Sequence, residues 1–234
     1  MKNYKIIMLS DIHANIYALN RLLDYAECQK IEMILNCGDF LQIGPNPVEV
    51  FDIVMSDERF INIIGNNELS LWKRDLMEFD ESEKEHQNWV IKLIGLERLE
   101  KLKNLPKARI VNIENYRFLM IHARINNIIE MPLLYQSKPI EEYTTDYGDD
   151  CDYVILGHTH LQSFISYWKG KTIINPGSLG CSKDGTISFV IFNINQEGIG
   201  FEFKKLKYNY YHTISDLMSL GVPAKEKIIN KFYK

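Results

Sequence analysis

Short apolar runs alternate with stretches of helical spacing along the first hundred positions. Residues 4–9 read as a strand ending in the polar loop Ser10-Asp11-Ile12-His13-Ala14-Asn15, and apolar positions from Ile16 to Cys28 then recur at the spacing of an amphipathic helix. A second strand is predicted at 31–36, closed by Cys37-Gly38-Asp39. Gly44-Pro45-Asn46-Pro47 stops regular structure ahead of a helix over 48–55. A third strand at 60–64 breaks at Gly65-Asn66-Asn67-Glu68. Residues 69–105 then predict two helices parted by the acidic stretch 78–85, with Pro106 ending the second.

Beyond Pro106 the period shortens to that of strands, at 117–121, 153–156, 163–167, 172–174, 186–194 and 200–205. Two closing helices, 213–220 and 224–232, are split by Gly221-Val222-Pro223. Strand-loop-helix alternation predicts a layered α/β architecture whose strand-end loops gather on one rim, and function belongs on those loops. No repeat, low-complexity tract or linker interrupts residues 1–234, so one domain is expected.

Composition narrows the function. The chain has 234 residues, 46% of them hydrophobic, and a chain of that length buries roughly 70–75% of its unfolded surface. A core forms without disulfides or a structural metal, so any metal is functional. The 27 basic and 31 acidic side chains leave a formal charge of −4, which excludes nucleic-acid wrapping as the main activity and leaves small phosphorylated molecules open. Cys28, Cys37, Cys151 and Cys181 show no Cys-x-x-Cys spacing and predict mostly buried thiols in a reducing compartment. With no leader pattern and no apolar run near the ~18 residues of a membrane span, a cytoplasmic location and no membrane partner are expected.

Four of the six histidines, His13, His122, His158 and His160, fall in polar loops at predicted strand ends, as do Asp11, Asp39 and Asn66. These seven oxygen and nitrogen donors suffice for two metal ions. Imidazole with carboxylate suits Mn, Zn, Fe or Ni better than Ca or Mg, and the absence of cysteine from the set argues against a structural zinc site. Asp-x-His, Gly-Asp and Gly-Asn each recur in loops of unrelated proteins. Their joint order, closed by Gly157-His158-Thr159-His160, carries the signal.

Ser10-Asp11-Ile12-His13, Gly38-Asp39 with Gly44-Pro45-Asn46-Pro47, Gly65-Asn66, Leu105-Pro106, His122, Gly157-His158-Thr159-His160 and Asn175-Pro176-Gly177-Ser178 together resemble the calcineurin-like metallophosphoesterases. Within them, the chain is similar to small single-domain predicted phosphodiesterases of bacteria and archaea. The resemblance implies an α/β fold of four αββα layers, two mixed sheets face to face with helices outside. It also implies one cation on Asp11, His13, Asp39 and His160 and another on Asp39, Asn66, His122 and His158, bridged by Asp39. Two ions ~3.5–4 Å apart share a hydroxide whose parent water has its pKa lowered toward ~7, and they hold two phosphoryl oxygens, so direct attack on phosphorus needs no protein nucleophile. No Gly-x-Ser-x-Gly elbow or phosphate loop offers another route. The expected reacting centre is Asp39, Asn66, Asn67 and His122, with Asn15, Asn67 and Arg124 as substrate contacts, a small phosphorylated substrate and two divalent ions, manganese first.

The match departs in places. The family's third motif commonly reads Gly-Asn-His-Asp, whereas Asn67 stands here in the histidine's place and cannot protonate a leaving oxygen. Activated esters, and diesters over monoesters, are therefore expected. Ala14 and Ala123 replace usual glycines and would be strained at positive φ. Arg124 is weighed between a phosphate contact and a surface ion pair. His86 and His212 are expected to be structural or at the surface. Tyr135, Tyr143 and Tyr147 are weighed between stacking on a ring and packing, and Asn175-Pro176-Gly177-Ser178 is expected to shape the rim. Rival functions are a phosphomonoesterase, a dinucleoside-polyphosphate phosphatase, and a protein-interaction scaffold like the retromer subunit that keeps this fold. Lys225, Lys227, Lys231 and Lys234 mark either a solvated face or a homo-oligomer contact.

Overall fold

The computed structural model describes residues 3–130, 150–167 and 171–234, together with 142, 145, 147 and 148. Its first sheet places β1 (Tyr4–Leu9), β2 (Met33–Asn36) and β3 (Phe60–Asn62) in parallel, extended antiparallel by β9 (Thr186–Asn195) and β10 (Gly198–Lys207) in the order β10-β9-β1-β2-β3. The second has the order β4-β5-β6-β8-β7. In it β5 (Tyr116–Ile121), β6 (Tyr153–Ile155) and β8 (Lys171–Pro176) run parallel, flanked by antiparallel β4 (Ala108–Ile113) and β7 (Gln162–Tyr167). Two mixed sheets with helices are the expected α/β architecture.

Why β1 is apolar on both faces follows from its neighbours. Ile6 and Met8 point between the sheets, against Phe118, Met120, Ile155 and Ile174 of the second. Ile7 and Leu9 point the other way, into a core shared with α1 (Ile16–Cys28), α2 (Pro47–Ser56) and α4 (Glu81–Lys103). Period-two alternation thus buries Ile6 to Leu9 of a central strand covered on both sides. On the second sheet's outer face Leu119, Val154 and Ile173 pack with Tyr147, which is fully buried. Packing is therefore the role of Tyr147, while Tyr135 and Tyr143 lie outside the described residues.

Three elements differ from expectation. The strand β4 was not predicted: it pairs only with β5, at the sheet's edge, and its Ala108, Arg109 and Ile110 are exposed, so no apolar run announces it. Residues 66–70 form a short helix, α3 (Asn66–Ser70), which starts inside the expected break at 65–68 and ends soon after residue 69, where a longer helix is predicted. The acidic stretch does not separate two helices; it begins α4. Asp80 accepts from the Glu83 N–H at 3.0 Å, Glu83 accepts from the Asp80 N–H at 3.0 Å, and the first-turn Glu81 and Glu83 complement the positive helix end. The break comes instead at Gly95, where φ is 71° and ψ 172°.

The chain closes with α5 (Tyr211–Ser219) and α6 (Lys225–Phe232), packed through Leu217, Val222, Ile228, Ile229 and Tyr233. Buried His86 ties this tail to the β2 loop, accepting from the Ile43 N–H at 2.8 Å and facing the Pro223 carbonyl at 3.3 Å. It is structural, as expected; His212, exposed, stacks on Tyr17. Among the described residues no helix is long and apolar enough to cross a membrane.

Burial lowers His86 to about 4, against the pull of the Pro223 carbonyl. An unfolded histidine titrates near ~6.5, so between those values the unfolded chain binds the extra proton and stability falls as pH falls. The linkage amounts to on the order of 3 kcal/mol. Urea midpoints at pH 7 and pH 4.5 should drop less for His86→Gln than for the wild type; equal drops would remove His86 from the account.

Candidate metal centre

Every parallel strand of both sheets ends on the same rim. Asp11 and His13 follow β1, Asp39 follows β2, Asn66 follows β3, His122 follows β5, and His158 and His160 follow β6. Backbone bonds lace these loops together: Asp11 N–H to Gly38 O at 3.0 Å, His13 N–H to Asp39 O at 3.0 Å, and Gly157 N–H to His122 O at 2.9 Å. The β2 and β3 loops touch so closely that a Cβ on Gly38, whose φ is +90°, would sit 2.4 Å from the Gly65 nitrogen. A Cβ on Gly65 would fall 2.0 Å from Asp39 Oδ1. Only glycine fits at either place.

The donors themselves sit on strained backbone. Asp11, His13, Asp39, His158 and His160 have φ of 58°, 49°, 53°, 69° and 62°. A left-handed conformation costs a residue with a Cβ roughly 1–3 kcal/mol and persists where the surroundings over-determine it, as at functional sites. Ala14, at φ 49°, carries the strain expected of it; Ala123 is absent from the positive-φ residues and carries none.

Two groups of donors result. In one, His13 Nε2 and His160 Nε2 lie 3.0 Å apart, and Asp11 Oδ1 is 3.6 and 3.4 Å from them. In the other, Asp39 Oδ2 lies 3.3 Å from His122 Nε2, and His158 Nδ1 lies 2.9 Å from Asn66 Oδ1. Ligating atoms of Asp39, His122 and His158 fall within 4.8 Å of one another, as do those of Asp11, His13 and Asp39, so the Asp39 carboxylate belongs to both sets.

These edges match those subtended at one cation by bonds of ~2.0–2.2 Å. Asp11 Oδ1 and His122 Nε2 are buried without a hydrogen-bond partner, a costly state that a cation relieves. His122 Nδ1 donates to the Cys37 carbonyl at 2.8 Å, which leaves Nε2 facing Asp39. The residues present fit divalent metal.

The electrostatics agree. Burial raises the Asp11 and Asp39 carboxyls, yet facing histidines outweigh it and hold both below the usual range. Burial lowers His122 and the Asp39 and Asp11 charges overcome it, raising the ring to about 10. His158 is lowered by burial and by His122.

Not every expected contact is at the centre. Asn15 is fully buried and caps α1: its oxygen accepts from Ala18 N–H and Thr213 Oγ1, its nitrogen donates to Gly180 O and Tyr208 Oη. No edge of it is left for a substrate. Arg124 pairs with Glu130 at 2.9 Å and is not among the described residues that line the cleft. Asn67 does line the cleft, with its side chain turned onto Asp39 Oδ2 at 2.5 Å and its N–H onto Asp39 Oδ1 at 2.9 Å. Asn175 donates to Gly157 O at 2.6 Å and to Thr159 Oγ1, which shapes the His158 loop.

Other residues enter that the strand-end pattern did not select. Glu68, fully buried at the third position of α3, accepts from the N–H groups of Asp39, Leu41 and Gly65 at 2.8, 2.8 and 2.9 Å. An acidic residue three positions after a helix start was its available signal. Cys181 lies beside His13 and His160. The cleft over the donors, about 440 Å³, is walled by Met77, Phe79, Ile228 and Phe232, with Lys231 on the same side. The last helix is thus neither wholly a solvated face nor free, for Lys227 also binds Asp80 and Glu83 at 2.7 Å each.

A family model described as the calcineurin-like phosphoesterase superfamily domain matches residues 4–197. The uncharacterized protein MJ0912 of Methanocaldococcus jannaschii is 27% identical over 236 residues, covering 93% of each chain. The phosphodiesterase MJ0936 of the same organism is 24% identical over 184 residues, 74% of this chain and 82% of its own. The crystal structure of hypothetical protein PH1004 from Pyrococcus horikoshii OT3 superposes with a TM-score of 0.84 at 17% identity, covering 98% of both chains.

Proposed function

This chain belongs to the calcineurin-like phosphoesterase superfamily and is a metal-dependent phosphoesterase, and from that premise we propose that it hydrolyses a small, nucleotide-sized phosphodiester with two divalent cations. Asp11, His13, Asp39 and His160 would hold one, and Asp39, Asn66, His122 and His158 the other. The observation that carries this reading is the Asp39 carboxylate lying in both donor sets.

When bound, such ions supply Lewis acidity and lower the pKa of coordinated water toward ~7. The protein does the rest. Cys37 O fixes the tautomer of His122, and the His158 N–H donates to Asp11 Oδ2 at 3.1 Å, so neighbouring loops orient one another's donors. Asn67 holds both oxygens of Asp39. Having no proton to release near neutrality, Asn67 leaves the departing oxygen to go as an anion, which favours activated leaving groups. Met77, Phe79 and Phe232 give that group an apolar wall and Lys231 a positive charge nearby. The volume of about 440 Å³ suits a small molecule. Phosphodiesterase activity named for MJ0936 supports the preference for diesters, and four free thiols suit the reducing cytoplasm.

The test strips the protein with chelator, restores manganese and compares bis(p-nitrophenyl) phosphate, p-nitrophenyl phosphate and a dinucleoside polyphosphate. Diester hydrolysis dependent on metal is expected. Monoester or polyphosphate preference would overturn the specificity, and metal-independent turnover would overturn the mechanism. Run beside it, Asn67→His should speed a methyl-ester substrate by roughly 10²-fold, the lower range of general-acid catalysis, and change the activated diester little.

A further inference from the structure

The loop after β8 carries a donor outside both sets described above. Ser178 Oγ donates to Asp11 O at 2.8 Å and accepts from the Cys181 N–H at 2.9 Å, and the Gly180 N–H donates to Asp11 O at 3.0 Å. The loop is thereby bonded to the backbone that presents Asp11 and His13. Gly180 permits the approach, since a Cβ there would lie 1.8 Å from the Ile12 carbonyl oxygen. Cys181 Sγ and ligating nitrogens of His13 and His160 consequently fall within 4.8 Å of one another.

Packing does not account for this thiol. The other two buried cysteines sit in apolar cores, Cys37 between the sheets and Cys151 against Tyr147. Cys181, 7% exposed, belongs to none of the apolar clusters: Ser178 and Tyr233 hydrogen-bond its thiol, burial and the Asp11 charge push it up, and its sulfur faces two imidazoles. Two imidazoles and a sulfur at this spacing form a donor set that a soft divalent cation can take, displacing the thiol proton.

The geometry points to Cys181 as a thiolate ligand of the cation shared by Asp11, His13 and His160, giving that position a preference for zinc or ferrous iron over manganese or magnesium. The inference rests on the metal-centre reading above. On binding, the S–H bond is exchanged for a sulfur–metal bond and the proton leaves to solvent. The second position, with only oxygen and nitrogen donors from Asp39, Asn66, His122 and His158, keeps no such bias. The two places therefore differ in softness, and a mixed pair of metals follows.

Cobalt(II) titration of the metal-stripped full chain tests this without relying on turnover. A near-ultraviolet sulfur-to-cobalt charge-transfer band should accompany the visible d–d bands, and Cys181→Ser should lose the former while keeping the latter. Competition with a chromophoric chelator should show zinc affinity at one position falling by roughly tenfold or more in Cys181→Ser, the scale of perturbed metal sites, with manganese affinity unchanged. Visible d–d bands without the charge-transfer band in the wild type would overturn thiolate ligation and leave the metal centre standing. Absence of both would sink the metal centre, and this inference with it.

Discussion

Asp39→Asn should lower kcat/KM for bis(p-nitrophenyl) phosphate by roughly 10³-fold or more, equivalent to at least ~4 kcal/mol of transition-state stabilisation. The substitution keeps shape and removes charge. It leaves the backbone bonds of residue 39, its N–H to Glu68 and its carbonyl from His13, in place. What changes is the one carboxylate common to both donor sets. A neutral amide presents one oxygen and an NH₂ group where two anionic oxygens stood, so one of two cations loses a ligand and the pair loses a unit of compensating charge. Metal analysis should therefore fall below two equivalents. Wild-type turnover with undiminished metal content would remove Asp39 as the bridge and with it the two-ion mechanism.

Why the donors could be read from sequence is physical. Each follows a mostly apolar strand: the last four residues of β1 are buried, so the first polar residues after Leu9 lie beyond the sheet, where parallel strands of both sheets end together. Asp11, His13, Asp39, Asn66, His122, His158 and His160 all stand in that place. The edge strand β4 was hidden because exposure of Ala108, Arg109 and Ile110 erases the apolar pattern. Asn15 misled for the opposite reason, since a polar residue in a donor loop reads alike whether it caps a helix or meets a ligand. The wall made by Phe79, Phe232 and Lys231 depends on α6 folding back over the rim, a contact between segments about 150 residues apart that no local period records. Cys181 owes its place to the same kind of long-range closure, through Ser178 and Asp11.

Glu68→Ala should destabilise the protein by about 3 kcal/mol or more and weaken metal binding by roughly tenfold or more, although Glu68 holds no metal. The carboxylate is the common acceptor for N–H groups of two loops: Asp39 and Leu41 in one, Gly65 in the other. Truncation leaves three buried donors unsatisfied, at ~1 kcal/mol or more each. It also unties the loop carrying Asp39 from the loop carrying Asn66, which alters the donor spacing of both sets at once. Burial and the Asp39 charge push the Glu68 carboxyl up to about 8, against the Leu41 and Gly65 N–H groups that favour its ionised form. An acid is retained in so unfavourable a place because the paired N–H groups leave no apolar substitute of equal worth. Glu68→Gln discriminates positioning from bulk stability. Its amide oxygen can keep the Asp39 and Gly65 N–H groups, which share one carboxyl oxygen and belong to different loops, while its NH₂ meets the Leu41 N–H, so metal affinity should fall less than in Glu68→Ala. Should Glu68→Ala unfold and bind metal like the wild type, the two loops are held by their glycine contact alone, and the acid at this position has no part in building the centre.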